Sequence, residues 1–107
     1  MDPQLKRGLI EVCVLKVLSA GASYGYKIIK DISPIVEISE STLYPILRRL
    51  ENSGLLDVYT REHNGRLRKY YRITDAGTGR IAEFLDEWKT VMNVYNFIRG
   101  GMGNDKI

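Results

Sequence analysis

The dipeptide Asn64-Gly65 constrains the fold of this 107-residue chain more than any other feature of its sequence. Both residues tolerate positive φ, which the tight two-residue turns of β-hairpins require. The flanking segments, residues 55–62 and 67–73, are rich in β-branched and aromatic side chains and predict two strands. The sequence therefore predicts one hairpin, and the other periodic segments must be arranged around it.

The first third of the chain predicts two helices. Residues 5–20 are apolar around most of a helical circumference, so other elements must cover this helix on most sides. Gly21 ends it, and Ser23 offers a cap for a second, shorter helix over residues 24–32, which stops before Pro34. Both helices precede the hairpin.

A third helix is predicted from about residue 39 to residue 53, with Gly54 after its end. Its apolar residues recur with helical spacing and mark a buried face: Leu43, Ile46, Leu47 and Leu50. The opposite face carries Ser41, Thr42, Tyr44, Pro45, Arg48 and Arg49. Because proline lacks a backbone N–H and crowds the preceding turn, we expect this helix to begin late or to bend at Pro45.

Thr74 or Asp75 caps a last helix that reaches about Arg99. Its apolar residues follow one another in steps of three and four and form a seam along the helix: Ile81, Phe84, Leu85, Trp88, Val91, Met92, Tyr95 and Ile98. An amphipathic helix at the end of a chain has no later element to cover it. The seam therefore packs either on its own chain or on a second copy.

Positive charge is concentrated in the middle of the chain. The net charge of +3 is modest, but residues 61–72 hold five basic side chains against the single acid Glu62, and Arg48 with Arg49 adds a second basic pair. From Arg80 onward, basic and acidic residues balance. An anionic polymer is therefore expected to dock on the middle of the chain.

The sequence argues against catalysis and metal binding. Cys13 and His63 are the only residues of their types, so one chain can form neither a disulfide nor a Cys/His zinc site. We find no nucleophile paired with a base and no phosphate-binding loop, and we expect no enzyme activity and no cofactor. Cys13, within an apolar helix, is interpreted as a small hydrophobic residue rather than a redox sensor.

No apolar run is long enough for a membrane span, and the N-terminal residues do not resemble a secretory signal. We therefore expect a cytoplasmic protein that does not bind membranes.

Three helices followed by a hairpin with a basic tip is the order of a winged helix-turn-helix, a mostly α fold with a small β-hairpin. In that fold the third helix enters the major groove of double-stranded DNA and the hairpin, or wing, reaches the neighbouring backbone. The predicted DNA-contacting residues are Tyr24, Lys27, Ser41, Thr42, Tyr44, Pro45, Arg48, Arg49, Asn64, Gly65, Arg66, Arg68 and Lys69. We expect a DNA-binding domain over residues 1–74, a dimerisation helix over 75–99 and a flexible tail over 100–107.

Three motifs resemble the PadR-like transcriptional regulators. They are Tyr24-Gly25-Tyr26, then Ser41-Thr42-Leu43-Tyr44-Pro45-Ile46-Leu47-Arg48-Arg49-Leu50-Glu51 with Gly54-Leu55, then Arg68-Lys69-Tyr70-Tyr71-Arg72-Ile73-Thr74. The resemblance covers roughly residues 5–95, and the single last helix is like that of the smaller subclass of the family. It implies a homodimeric regulator, usually a repressor, and a Pro45 that the third helix tolerates.

A homodimer would bury the seam and present two recognition helices about 34 Å apart, one turn of DNA. The predicted dimer interface comprises Leu9, Ile81, Phe84, Leu85, Trp88, Val91, Met92 and Tyr95. Trp88 is the only tryptophan and is interpreted either as dimer-core packing or as part of a slot, with Phe84 and Met92, for a planar aromatic effector. The resemblance favours the slot, because a tryptophan at a similar place in multidrug-responsive PadR-like proteins stacks on planar compounds.

One alternative function stays open at this stage. A winged helix can use the face of its third helix to bind another protein instead of DNA, since a fold does not fix a function. RNA binding fits less well, because we expect no sheet with exposed stacking aromatics.

Overall fold

The computed structural model describes residues 1–101 and shows a helical protein with one small sheet. Its elements in chain order are α1 (Pro3–Leu18), β1 (Ser23–Tyr24), α2 (Gly25–Ile32), α3 (Glu40–Asn52), β2 (Leu56–His63), β3 (Arg66–Ile73) and α4 (Asp75–Ile98). This order confirms the predicted winged helix-turn-helix followed by one long helix. Most of the predicted tail, residues 102–107, lies outside the described residues.

The first helix begins earlier and ends earlier than its apolar pattern predicts. The Asp2 carboxylate accepts a hydrogen bond from the Leu5 N–H at 2.9 Å, and Pro3 occupies the first turn, where its missing N–H costs nothing. At the other end the Ser19 hydroxyl donates to the Lys16 carbonyl oxygen at 2.6 Å. The helix therefore ends at Leu18 rather than at Ala20.

The short strand β1 is absent from the sequence prediction, which gives its residues to the start of the second helix. Ser23 and Tyr24 instead pair antiparallel with Tyr71 and Tyr70 of β3. Ser23 does not cap α2: its hydroxyl is buried and makes no hydrogen bond within residues 1–101, and Tyr24 occupies the N-cap position without a side-chain bond. The strand exists because β3 supplies its partners.

The sheet has the order β1-β3-β2, and all its pairs are antiparallel. Asn64 and Gly65 form the turn between β2 and β3 with φ of 52° and 78°, which confirms the predicted hairpin. One face of the sheet packs on the helices through Leu56 and the 4% exposed Tyr71. The other face points away from the core.

The core lies between α1, α2, α3 and the inner face of the sheet. Its buried members are Ile10, Val14, Leu15, Leu18, Ile28, Ile32, Ile38, Leu43, Ile46, Leu47, Leu50, Leu56 and Tyr71. All four apolar residues predicted for the inner face of α3 are among them. The expectation of a late start for α3 is wrong, because the helix begins at Glu40 and continues through Pro45 to Asn52.

The last helix is tied to the body at its first turn. The Thr74 hydroxyl accepts from the Gly77 N–H at 3.1 Å and donates to the Gly54 carbonyl oxygen at 2.8 Å. A Cβ at the buried Gly77 would overlap the Leu55 carbonyl oxygen, so only glycine lets the helix approach this closely. Ile81 and Phe84 still contact the body, and α4 then extends beyond it, so that the molecule measures 65 × 26 × 21 Å.

None of the helices within residues 1–101 is both long enough and apolar enough to cross a membrane.

Candidate nucleic-acid interface

The exposed residues of α3 divide between two flanks of the helix. Tyr44 and Arg48 face the wing, the hairpin of β2 and β3, whereas Thr42 and Arg49 face α1. This division follows from helical geometry, because residues three or four apart share a flank and adjacent residues do not. The predicted DNA-contacting residues of α3 therefore do not form a single patch.

A groove of about 940 Å³ lies between α3, the start of α2 and the wing. Its lining is Tyr24, Gly25, Tyr26, Tyr44, Arg48, Glu51, His63, Asn64, Arg66, Leu67, Arg68, Lys69 and Tyr71. Four basic side chains and one acidic side chain border this groove, so it attracts anions. We call it the wing groove.

Tyr44 links the two helices that border the wing groove. Its phenol lies against Gly25, where a Cβ would overlap the tyrosine hydroxyl. Gly25 is buried and forms the first residue of α2. The glycine thus sets how deeply Tyr44 sits between the helices, and Tyr44 remains 40% exposed toward the groove.

Burial and nearby charges shift the pKa of Tyr71, which lines the wing groove. Burial raises the pKa of the Tyr71 phenol, and nearby Tyr44 and Glu51 raise it further, while Arg48 opposes the rise. Tyr71 therefore stays neutral well above pH 7. Within residues 1–101 Arg48 forms no ion pair, which leaves its guanidinium donors available to a ligand.

Arg49 occupies the other flank. Its guanidinium pairs with Glu11 of α1. The separation of 38 residues between Arg49 and Glu11 hides this pair from any local sequence pattern. The ion pair braces α3 against α1 and points Arg49 away from the wing groove.

The remaining predicted residues of α3, Ser41, Thr42 and Pro45, border a separate hollow of about 510 Å³. This hollow includes Pro3, Lys6, Arg7, Ile10, Ile46 and Arg49, and lies between α3 and the start of α1. The Ser39 hydroxyl lies 3.0 Å from the Ser41 hydroxyl and donates to that of Thr42 at 3.2 Å. Both predicted side chains thus belong to a local network at the start of α3.

Tyr24, at the end of β1, and Lys27, in α2, have different partners. The Lys27 ammonium pairs with Asp31 one turn later at 3.1 Å, and this exposed pair contributes little to stability. Tyr24 borders the wing groove and lies beneath the Arg68 guanidinium, 3.9 Å from its ring centroid. Tyr24 therefore orients an arginine of the wing.

The wing brings its predicted residues together at one end. Asn64, Gly65 and Arg66 form the exposed tip, and Lys69 points from β3 toward α3. Sequence reasoning missed Leu67, which is 77% exposed between these basic residues and lines the wing groove. Its signal in the sequence is an apolar residue directly after the turn, although exposure of a single leucine is common.

The outer face of the sheet carries three tyrosines. Tyr24, Tyr59 and Tyr70 lie side by side on it, with centroids 5.6 Å apart for Tyr24 and Tyr70 and 5.5 Å apart for Tyr59 and Tyr70. The sheet therefore carries aromatic side chains on its open face. They are half-buried rather than fully exposed.

The predicted dimer seam lies along α4, and most of it is uncovered in the single chain. Leu85 is 61% exposed, Tyr95 53%, Met92 43% and Val91 41%. Phe84 and Trp88 are half-buried and stack on each other with centroids 5.2 Å apart. The structure thus joins two of the three residues assigned to the effector slot.

An apolar hollow of about 530 Å³ adjoins the seam. It is lined by Met1, Lys6, Leu9, Val12, Cys13, Lys16, Val17, Asp31, Ile32, Ile35, Val36 and Phe84. The predicted interface residue Leu9 therefore lies close to α4. Burial raises the pKa of the Cys13 thiol, which keeps it protonated and unreactive at neutral pH.

No group of three or more His, Cys, Asp or Glu side chains within residues 1–101 is placed to hold a metal ion.

One family model and several solved structures match this chain. The model of the transcriptional regulator PadR-like family matches residues 14–83. The crystal structure of smu.1704 from Streptococcus mutans UA159 is 45% identical in sequence, with 86% of this chain and 88% of that chain covered and a TM-score of 0.74. A transcriptional regulator from Clostridium thermocellum is 34% identical, with 90% and 95% covered and a TM-score of 0.80.

A more distant structure is Bacillus subtilis PadR in complex with operator DNA. It is 23% identical, with 72% of this chain and 46% of that chain covered and a TM-score of 0.68. At this identity the similarity concerns the fold alone.

Proposed function

This chain belongs to the PadR-like family of transcriptional regulators, and on that premise we propose that it binds double-stranded DNA as a homodimer. The wing groove is the observation that carries the proposal. Arg48 on α3 and the basic residues of the wing border one concave surface, as a helix in the major groove and a wing on the backbone require. The DNA complex of Bacillus subtilis PadR, which shares the fold, supports this assignment.

Each part of the wing groove has a distinct proposed role. Arg48 reads base edges, since arginine donates in a bidentate manner to guanine and this one has no carboxylate partner within residues 1–101. Arg66 and Lys69 bind phosphates, as does the exposed backbone of Gly65 at the tip. Arg49, held by Glu11, has a bracing role rather than a base-reading one.

The uncovered seam of α4 supports the dimer. Leu85, Val91 and Tyr95 are each more than 40% exposed, on one side of a helix that leaves the body. A second copy would bury them by an isologous contact, in which the same surface serves both chains. The two wing grooves would then face successive turns of a two-fold symmetric operator.

Repression and its release by an effector form the second part of the proposal. A dimer bound across a promoter blocks polymerase, and a planar aromatic compound at Trp88 and Phe84 shifts the angle between the two winged helices. The stacked Phe84 and Trp88 rings, 5.2 Å apart, support this site because a flat ligand extends such a stack. The same helix carries both the seam and the stack, so the two are mechanically linked.

Fluorescence anisotropy with random-sequence and promoter-derived duplexes tests DNA binding, at salt concentrations of about 50 and 200 mM. Arg48→Ala should cost about 1–3 kcal/mol on the preferred sequence and relax the preference. Arg66→Ala should weaken binding to all sequences alike and lower the salt slope. Lys89→Ala, which removes an exposed cation of α4, is the matched control and should change neither quantity.

Absence of binding at the lower salt concentration would overturn the DNA assignment and favour a protein-interaction module. For the effector, quenching of Trp88 fluorescence by planar aromatic dyes should accompany release of DNA. If Trp88→Ala leaves dimerisation and every ligand response unchanged, the effector part of the proposal fails.

A further inference from the structure

The outer face of the sheet forms a second surface, which shares only an edge with the wing groove. In the register of β2 and β3, Tyr59 faces Tyr70, Arg61 faces Arg68 and His63 faces Arg66, and side chains that pair in this way share a face. Tyr71 alternates with these residues and points into the core. We call the surface of Tyr24, Tyr59, Tyr70, Arg61, Arg66, Arg68 and Arg72 the tyrosine–arginine face.

Each tyrosine of this face lies beneath a guanidinium group. Arg68 is 3.9 Å from the Tyr24 centroid, Arg72 is 5.2 Å from Tyr59, and Arg61 is 5.8 Å from Tyr70. A guanidinium that stacks on a ring keeps its N–H donors at its edge, where they are free to bind a carboxylate or a phosphate. The rings therefore hold the arginines in an arrangement that is ready for an anion.

The placement of the charges is unfavourable without a ligand. Arg61 and Arg68 lie directly opposite each other on neighbouring strands, where like charges destabilise a sheet. The acid of this face is Asp57, which lies 3.9 Å from Arg72. Arg61, Arg66 and Arg68 form no salt bridge with any other residue of the range 1–101. An anion bound between Arg61 and Arg68 would relieve this repulsion.

We propose that the tyrosine–arginine face binds the phosphate backbone of DNA that lies outside the half-site read by α3. The face is continuous with the wing groove, because Tyr24, Arg66 and Arg68 line both surfaces. Arg66 and Arg68 lie two residues apart on one strand, about 6.8 Å, and thus form a row along β3. A row of cations matches a polymer with regularly spaced phosphates better than it matches an isolated carboxylate.

The aromatic rings position the arginines rather than stack on bases. Each ring already carries a guanidinium within 5.8 Å of its centroid, so a base would have to displace an arginine. This argues for contact with the backbone and against single-stranded RNA, which binds by stacking. The contact is consequently independent of sequence and extends the operator footprint on both sides of the dimer.

The inference rests on the proposed DNA binding, and the test separates the two. Anisotropy titrations of the full chain use random-sequence duplexes of about 20 base pairs, which hold two half-sites one turn apart, and of about 40 base pairs. Arg61→Ala should leave binding to the short duplex unchanged. On the long duplex it should weaken binding and lower the salt slope by about 2, since the dimer loses two phosphate contacts.

Two further variants define the role of the rings. Tyr70→Leu should reproduce part of the Arg61→Ala effect because it removes the support of that guanidinium, whereas Tyr70→Phe keeps the ring and should bind like the wild type. Lys89→Ala removes an exposed cation of α4 and is the control for the loss of one positive charge.

The outcomes are distinct. If the wild type binds neither duplex, the proposed DNA binding fails. If Lys69→Ala, which removes a proposed phosphate contact of the wing groove, weakens binding to both duplexes but Arg61→Ala binds both like the wild type, only the tyrosine–arginine face is overturned. Equal weakening on the short and long duplexes also overturns the inference, because the face would then contact DNA within the half-site.

Discussion

Apolar side chains are buried in the winged-helix body but exposed along most of α4 beyond Phe84. In the body, Val14 and Leu43 are fully buried within one chain. On α4, Leu85 is 61% exposed and Phe97 76%. Burial of a leucine side chain contributes about 1.5–3 kcal/mol. The body therefore gains its hydrophobic stabilisation within one chain, whereas the exposed side chains of α4 would gain theirs only when a second surface covers them.

Because of this difference, folding and the proposed dimerisation depend on different parts of the molecule. Folding of the body depends on contacts within one chain, whereas the proposed association depends on the exposed seam. Substitutions in the two regions should therefore differ in how their effects respond to protein concentration. The predictions below use that response, and they begin with the largest expected effect.

Leu47→Ala tests the body. Leu47 is 1% exposed in the core of α3, so truncation leaves a cavity and should lower the free energy of unfolding by about 2–5 kcal/mol. Urea denaturation at two protein concentrations measures the loss, which should be the same at both. A loss that grows on dilution would show that the core also depends on the second copy.

Leu85→Ala tests the seam. Each copy should lose about 1.5 kcal/mol of interface burial, and because a symmetric dimer carries the change twice, Kd should rise about a hundredfold. Sedimentation equilibrium measures this change, and Lys89→Ala, on an exposed position of the same helix, is the control. Unchanged association of the Leu85→Ala protein would remove the seam from the interface.

Cys13 lies beside the hollow that Phe84 of α4 also lines, so it tests the contact between the two regions. Its expected effect on the free energy of unfolding is the smallest, because ionisation of the thiol destabilises the fold only at alkaline pH. Burial raises its pKa, so the associated stability is complete below the ordinary thiol pKa of about 8.5 and is lost as pH rises through the raised value. Unfolding of the wild type and of Cys13→Ala, compared across alkaline pH, isolates this loss. Equal pH dependence of the two proteins would contradict it.

Alkylation of Cys13 extends this test to the seam. The thiol borders the apolar hollow that Phe84 of α4 also lines. If a second copy covers the hollow, iodoacetamide should react more slowly with the wild type than with Leu85→Ala at the same pH. Identical rates would mean that the hollow stays open after association.

Local patterns predicted most of the fold. The hairpin turn at Asn64 and Gly65, the inner face of α3 and the cap at Thr74 all depend on neighbouring residues, and each agrees with the structure. The strand β1 was missed because two residues carry no periodicity, and it forms only through its pairing with β3. The late start predicted from Pro45 is wrong, because local sterics do not include the support that α3 receives from the core.

The candidate site was less predictable than the fold. Arg48 and Arg49 are adjacent in the sequence, but the second pairs with Glu11, which a local pattern does not reveal. The ring contacts of Tyr24 join β1 to β3, so they depend on a strand that the sequence does not predict. Cross-strand register, known only once the sheet is built, brings Arg61 opposite Arg68.

The joint at Gly77 gives α4 the properties of a lever. The helix has 24 residues and is therefore about 36 Å long. At its start the Thr74 hydroxyl and N–H bond the Gly54 and Leu55 carbonyl oxygens, and the helix adjoins α1 as far as Phe84. A tilt of a few degrees about Gly77 would move the far end of α4 by ångströms. In the proposed dimer, a substitution beside Gly77 would thus change the half-site spacing that the two wing grooves fit, without altering any residue of those grooves.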